Sequence, residues 1–439
     1  MYNIKWITSS INRILKLFGL KWRMLWEKGA FHILIGNFLT KFVVFFGSIF
    51  LVRVLSKESY GKLAYIENIY GYIYILAGMG LANSVLRFVV LAKEKDRELA
   101  YYKHAINQGT IFNVFFVIII AIVGLFYPHP PQFMNTKWLI IAIAISLPFQ
   151  FITEVNIFTL RAKFDNRRYA IAALISSTML VAGKYIGALV WDVSGVILSI
   201  IIVSFSLAVV FTKTINKIYY NHINPASISR SEQKRVKSYS IQYMITNGIW
   251  TLFMLNDIFL LGLLDGNPTT IAEYKVAYVL PGNLAILSGA IGIFVAPYFV
   301  KHENDFPWIR NNYLKVLIVS SGLIGSAAIF IMLFSSQIIT LLYGANYINI
   351  VPVMRLLLIS AFINSGLRFT TANLLSAMGQ VKYNMIISFI GVILQVVVNF
   401  QVIPIFGVKG IAYTSIIVYT LMSLALFIIF AKKYNLFRV

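Results

Sequence analysis

The chain has 439 residues, 59% of them apolar and only 12% charged, with a mean hydropathy of +0.79 and a formal charge of +23 from 38 Lys and Arg against 15 Asp and Glu. A soluble domain carries about 25% charged residues, so a water-soluble enzyme is excluded, and so is a nucleic-acid binder, which needs a polar chain with its cations on one face. The absence of Cys excludes disulfides, thiolate metal sites and Cys nucleophiles; the five His form no metal-binding pair such as HExxH.

Residues 1–30 place Lys16, Lys21, Arg23 and Lys28 among Leu15, Phe18, Leu20, Trp22, Leu25 and Trp26. This segment has no uninterrupted apolar core or small-residue cleavage site, so it does not read as a signal peptide. It reads either as an amphipathic segment on the membrane surface or as a basic tail that orients the first span. Twelve windows then meet the requirement of about 20 apolar residues per membrane helix. They are 31–55, 64–92, 105–127, 138–161, 168–190, 193–213, 238–264, 276–300, 314–334, 352–378, 384–406 and 409–431.

With the N-terminus placed inside, the cytoplasmic loops and tails hold 27 Lys and Arg and the opposite loops hold 5. Cytoplasmic loops carry the cationic excess, so both termini are expected in the cytoplasm and the number of spans is even. The longest connection lies at the midpoint, is polar and basic, and separates six spans from six. The sequence therefore predicts an all-α integral membrane protein of about 12 transmembrane helices, arranged as two six-helix lobes around a central cavity. The expected organisation is a basic N-terminal segment at 1–30, one lobe at 31–213, a linker at 214–237, a second lobe at 238–431 and a cytoplasmic tail at 432–439. No GxxxxGK[ST] occurs, so no P-loop supports ATP-driven transport.

Nine ionisable residues fall inside or at the edges of the spans: Lys41, Arg53, Glu67, Arg87, Glu154, Lys184, Asp257, Arg355 and Arg368. A charge at the bilayer centre costs about 2.5–3.5 kcal/mol on insertion scales, so such groups usually face a bundle interior or a wet cavity. Helical spacing puts polar neighbours on shared faces. Asn37, Lys41 and Ser48 share one face, as do Gln150, Glu154 and Arg161; so do Gln242, Thr246 and Asp257 with Phe253 between them. Asn364, Arg368 and Thr371 form another set, Asn83 pairs with Arg87, and Gln395 pairs with Asn399. The cations Lys41, Arg53, Arg87, Lys184, Arg355 and Arg368 are the candidates for binding an anionic substrate. Arg53 and Arg87, near span ends, equally suit snorkelling to headgroups. Glu154 and Asp257 are candidates for carrying a coupling ion, a proton or sodium, or for ion pairing. Asn37, Gln242, Thr246, Asn364, Gln395 and Asn399 would line the cavity, or else join helices through hydrogen bonds worth about 0.6 kcal/mol each.

Three stretches carry a family resemblance. The first is FLVRVLSKESYGKLAYIENIYGYIYILAGMGLANSVLRFVV (50–90), with an R-x-L-S-x-x-x-Y-G element before a helix that ends in a Gly-Leu turn. The second is NDIFLLGLLDGNPTTIAEYKVAYVLPGNL (256–284). The third runs over 341–419 and contains LLYGANY, SAMGQ and NFQVIPIFGVKGIA. Together they resemble Wzx-type O-antigen flippases, the polysaccharide transport branch of the multidrug/oligosaccharidyl-lipid/polysaccharide exporter (MOP) superfamily. The resemblance implies a non-enzymatic flippase of the bacterial inner membrane. It would move an undecaprenyl-diphosphate-linked oligosaccharide by alternating access, for O-antigen or capsule synthesis. The implied partners are that lipid-linked oligosaccharide, membrane lipid, and a polysaccharide polymerase and chain-length regulator; no organic cofactor and no nucleic acid are implied. Arg53 and Asp257 fall in the matching stretches. An ion-coupled drug or metabolite antiporter of the same fold is the alternative. An O-antigen polymerase or ligase fits less well, because such enzymes carry a long outer loop.

Overall fold

The computed structural model describes residues 30–126 and 131–436. The basic segment expected at the N-terminus lies outside the described residues except for Ala30, and the tail is described as far as Leu436. Among the described residues every regular element is helical. In chain order they are α1 (Ala30–Val54), α2 (Lys57–Ile75), α3 (Leu81–Leu91), α4 (Lys95–Phe126), α5 (Lys137–Ala144), α6 (Leu147–Ala162), α7 (Asn166–Tyr219) and α8 (Arg230–Leu264). There follow α9 (Pro268–Asn283), α10 (Ala285–Lys301), α11 (Phe306–Leu333), α12 (Ser335–Tyr343), α13 (Val351–Phe362), α14 (Phe369–Ala377) and α15 (Val381–Lys433). A π-helical turn, Ile363–Arg368, joins α13 to α14.

Eight of the described helical segments are long and apolar enough to cross a membrane, and two further pairs qualify as bent spans. The bends are 44° between α2 and the segment Ala77–Leu91, and 41° between Pro131–Ala144 and α6. Two of the eight are oversized. At about 1.5 Å per residue, α7 and α15 would each reach roughly 80 Å, far beyond a hydrocarbon core of about 30 Å. Each is broken once, α7 at Trp191 and Asp192 and α15 at Gly407 (φ 54°, ψ −134°). Each therefore supplies two membrane-length rods joined by a turn. The Gly407 backbone lies in a region that a Cβ disfavours, which accounts for the FGVKG sequence at that turn.

Helix starts follow local capping chemistry. Asp165 accepts a hydrogen bond from the Arg168 N–H at the start of α7, Asn267 from the Thr269 N–H before α9, and Asp305 from the Trp308 N–H before α11. The midpoint connection is shorter than the apolar windows suggest. Helix α7 continues to Tyr219 and α8 begins at Arg230, leaving 220–229 between them. The added turns carry Lys217, Arg230, Lys234, Arg235 and Lys237. Hydropathy detects only the part of a helix that sits in hydrocarbon, whereas the backbone hydrogen bonding continues into the polar interface.

Contacts divide the chain into two compact units. One comprises Met1–Phe50, Leu76–Val123 and Ile141–Met244; the other comprises Leu51–Ile75, Gly124–Ile140 and Ile245–Val439. Their boundaries cut through α1, α4, α5 and α8 rather than along the linker. In the first unit α6 packs against α3 and α7, around a core that includes Leu99, Tyr102, Phe151 and Val155. Neutral polar groups fasten this core: the Tyr102 hydroxyl donates to Asn156 Oδ1 at 2.7 Å, and Asn156 Nδ2 donates to Thr212 Oγ1 at 2.9 Å. In the second unit α2 packs against α9. At Gly61 the backbones come so close that a Cβ would stand 1.8 Å from the Pro268 carbonyl oxygen. Two ion pairs flank this crossing, Lys57 Nζ to Glu273 Oε1 at 3.0 Å and Lys275 Nζ to Glu67 Oε2 at 2.7 Å.

Candidate functional site

Asp257 sits in the C-terminal third of α8, in the second unit, and is buried. Helix α15 presents Gln395 and Asn399 one turn apart, so both amides reach the same carboxylate oxygen. Gln395 Nε2 donates to Asp257 Oδ1 at 2.7 Å and Asn399 Nδ2 donates to it at 3.1 Å. From α9 the Tyr274 hydroxyl donates to Oδ2 at 2.6 Å. None of these three donors brings a charge.

The orientation of both amides follows from chemistry. A carboxylate only accepts, so each NH2 must face it and each amide oxygen must face away. Gln395 Oε1 and Asn399 Oδ1 are thereby left buried without a hydrogen-bond partner. An uncompensated buried charge is costly, and so is each idle buried oxygen. A carboxylate together with neutral amide and hydroxyl oxygens is a donor set suited to a hard cation. Protonation of Asp257 would remove the same charge. Among the described residues no group of three or more His, Asp or Glu forms a metal cluster, so this single carboxylate with neutral oxygens suits an ion of low charge.

Arg368 is the other deeply placed ionic group of this unit, at 1% exposure on the π-turn. Its Nη1 donates to Asn364 Oδ1 at 3.1 Å and its Nη2 to Ser388 Oγ at 2.8 Å. The guanidinium lies 5.3 Å from the centroid of the Trp250 ring and 5.4 Å from that of Phe369. Two neutral acceptors and two aromatic faces therefore enclose the cation, and only Nε lacks a partner. The group is packed rather than presented to a ligand.

The remaining sequence candidates are dispersed. Lys41 and Asn37 are exposed on α1. Arg53, at the end of α1, is exposed and donates through Nε to the Leu342 carbonyl at 2.8 Å and through Nη2 to that of Leu341. Arg87 on α3 is exposed and stands 4.8 Å from the centre of the Tyr239 ring. Arg355 on α13 is exposed and donates to Ser335 Oγ at 2.9 Å. Lys184 on α7 and Glu154 on α6 are half-buried in the first unit. Gln242 and Thr246 on α8 are exposed, although they share a helical face with buried Phe253 and Asp257. Asn364 is buried as the Arg368 acceptor. Of all the candidates, the structure brings together Asp257 with Gln395 and Asn399, and Asn364 with Arg368. Sequence reasoning missed Tyr274, Ser388 and Trp250. For Tyr274 a signal existed: it opens the YKVAY element in the second of the family-like stretches. A serine and a tryptophan in apolar helices carry no comparable mark.

A family model described as polysaccharide biosynthesis protein matches residues 50–352. Among solved structures, the chain is similar to the lipid II flippase MurJ in an inward closed conformation, with a TM-score of 0.72, 14% identity, and coverage of 92% of this chain and 89% of that one. It is also similar to an inward-facing multidrug resistance MATE family transporter of the MOP superfamily, with a TM-score of 0.69, 16% identity, and coverage of 90% and 94%. A MOP superfamily transporter from Pyrococcus furiosus aligns with a TM-score of 0.55, 15% identity, and coverage of 94% and 96%. None of the curated proteins matches the chain by sequence. At these identities the structural likeness establishes the fold alone, and the long apolar helices are those of a multi-pass membrane protein.

Proposed function

We propose, from the premise that this chain belongs to the polysaccharide biosynthesis protein family, that it is a flippase for a lipid-linked oligosaccharide. It moves an undecaprenyl-diphosphate-linked repeat unit across the bacterial inner membrane for O-antigen or capsule assembly, and Asp257 carries the ion that drives it. The observation that carries the coupling part is the buried Asp257 carboxylate, held only by the neutral donors of Tyr274, Gln395 and Asn399, two of which leave their own amide oxygens unpartnered. A site of this kind has two states, charged and neutralised, and an ion that prefers one packing of the helices shifts the population toward it. Helices α8, α9 and α15 all contribute to the site, so occupancy acts on three elements at once.

The transport part rests on the family and on the likeness to a lipid II flippase. A diphosphate headgroup cannot cross hydrocarbon unaided, because burying an unpaired charge costs many kcal/mol. Exposed cations on the spans, Lys41, Arg53 and Arg87, offer compensating charge. The polyprenyl tail can remain in lipid throughout.

The test is complementation of a strain that lacks its own flippase, read by surface polysaccharide. Wild type restores the polymer, and Asp257→Asn at equal membrane abundance does not. Failure of wild type with several different repeat units supplied would overturn the flippase reading. Full restoration by Asp257→Asn would overturn the coupling role alone.

A further inference from the structure

A groove of about 630 Å³ lies in the first unit, away from Asp257. One wall is the start of α8, which contributes Arg230, Gln233, Lys234, Lys237 and Ser240. Their spacing of three, four and seven residues puts them on one helical face. The other wall is α4. Its face runs from polar His104 and Gln108 to apolar Ile111, Phe112 and Phe115. Polarity thus falls along the groove, from a cationic rim to a wall on which Ile111 and Phe115 remain 65% and 61% exposed.

Among the described residues no carboxylate lines this groove. Glu232, between Arg230 and Lys234 in sequence, is turned to the other side of α8. There it accepts from Arg97 Nη1 at 3.0 Å, the Tyr101 hydroxyl at 3.2 Å and the Ser229 N–H at 2.9 Å. A second cavity on that side sets two carboxylates, Glu94 and Glu232, among its three cations, Lys93, Arg97 and Arg235. The two sides of one helix therefore differ: one carries carboxylates and the Arg97–Glu232 ion pair, and the other presents three cations above apolar surface.

We infer that the groove between α4 and the start of α8 binds the phosphate headgroup of an anionic glycerophospholipid. Arg230, Lys234 and Lys237 take the phosphate, and the acyl chain lies along Ile111 and Phe115. Basic pockets between membrane helices on the cytoplasmic side suit such headgroups, and by the charge count this is the cytoplasmic end of both helices. The volume falls within the range of small-ligand sites, about 300–1,000 Å³. The inference concerns the resident membrane lipid and stands whatever substrate is transported.

The test uses the full chain purified in a neutral detergent. Lipid retention is read by native mass spectrometry and by the thermal shift on adding phosphatidylglycerol, phosphatidylcholine or inorganic pyrophosphate. Phosphatidylglycerol is expected to be retained and to raise the melting temperature, and the other two are not. The triple variant R230Q/K234Q/K237Q is expected to weaken phosphatidylglycerol retention about tenfold or more, since each cation near a lipid surface counts. The K213Q/K217Q variant, which removes two exposed cations outside the groove, should bind as wild type does. Ile111→Asn changes the apolar wall alone and should weaken retention of the lipid. Equal retention of phosphatidylcholine, or unchanged binding by the triple variant, would overturn the proposal. A response to pyrophosphate equal to that for phosphatidylglycerol would replace the lipid by a free anion and overturn it as well.

Discussion

Asp257 and Arg368 lie in the same compact unit, both are buried, and both are held only by neutral groups. The two environments nevertheless differ in kind. Around Arg368 the amide and hydroxyl oxygens are used up and two aromatic rings lie within cation–π distance of the guanidinium. Around Asp257 the donors are used up, and the oxygens of the same amides are left idle. A cation can be fully sheltered by ring faces and a few acceptors. A carboxylate sheltered by amides necessarily turns unused acceptors into the protein, because each amide carries both groups. The first arrangement uses its acceptors, and the second leaves two of them unused.

Substitutions can break this distinction. The largest effect is expected at Asp257. Asp257→Asn keeps the shape and the neutral partners, so melting temperature and membrane abundance should hold, while transport falls by about a hundredfold, equivalent to ~3 kcal/mol. In the same preparation wild type should gain thermal stability when sodium replaces a large organic cation, or when pH is lowered, and the variant should gain none. A salt or pH response retained in the variant would remove Asp257 from coupling.

Arg368 should behave in the opposite way, as a folding determinant. Arg368→Ala deletes a large buried side chain and should destabilise the protein by about 2–4 kcal/mol in thermal unfolding. Arg368→Met, which fills the space and removes the charge, should cost about 2 kcal/mol less than the alanine change, since apolar replacements of buried charges are well tolerated. If Arg368→Met folded normally and abolished transport, the guanidinium would have a role beyond packing.

Gln395→Leu tests the idle oxygens. It removes one donor to Asp257 and one unpartnered acceptor together, so the stability loss should stay near 1–3 kcal/mol, the cost of leaving a buried group short of a partner. The sodium-dependent thermal shift should shrink along with it. Tyr274→Phe removes a donor and no idle oxygen. It should cost about 1 kcal/mol and leave the ion response in place.

The smallest effect is expected at Asp165, a carboxylate of the ordinary kind. Partial burial at the start of α7 would raise its pKa, but hydrogen bonds from the Tyr219 hydroxyl and from the Arg168 N–H and guanidinium outweigh burial and hold it below the usual value. Because the folded value is depressed, the stabilisation is present above the unfolded pKa and is lost as pH falls through the folded one. Asp165→Asn should therefore flatten the acid limb of the stability curve slightly and leave transport unchanged.

Much of this molecule is readable from its residues alone. Apolar run length sets where the chain can enter a bilayer, because hydrocarbon forces each crossing segment to satisfy its own backbone. The Lys and Arg asymmetry sets the expected orientation. Helical spacing already puts Gln395 with Asn399, and Asn364 with Arg368, since neighbours four residues apart share a face in any helix. Tertiary structure decided which faces meet. Asp257 lies 138 residues from Gln395 and 142 from Asn399, and no periodicity spans such distances. It also decided the fate of the cations. Arg53, Arg87 and Arg355 sit in apolar runs much like that of Arg368, yet they are exposed and it is enclosed, because burial depends on what neighbouring helices bring. A one-dimensional pattern specifies the face a side chain occupies, and the packing of other helices determines whether that face meets lipid, water, a ring or a carboxylate.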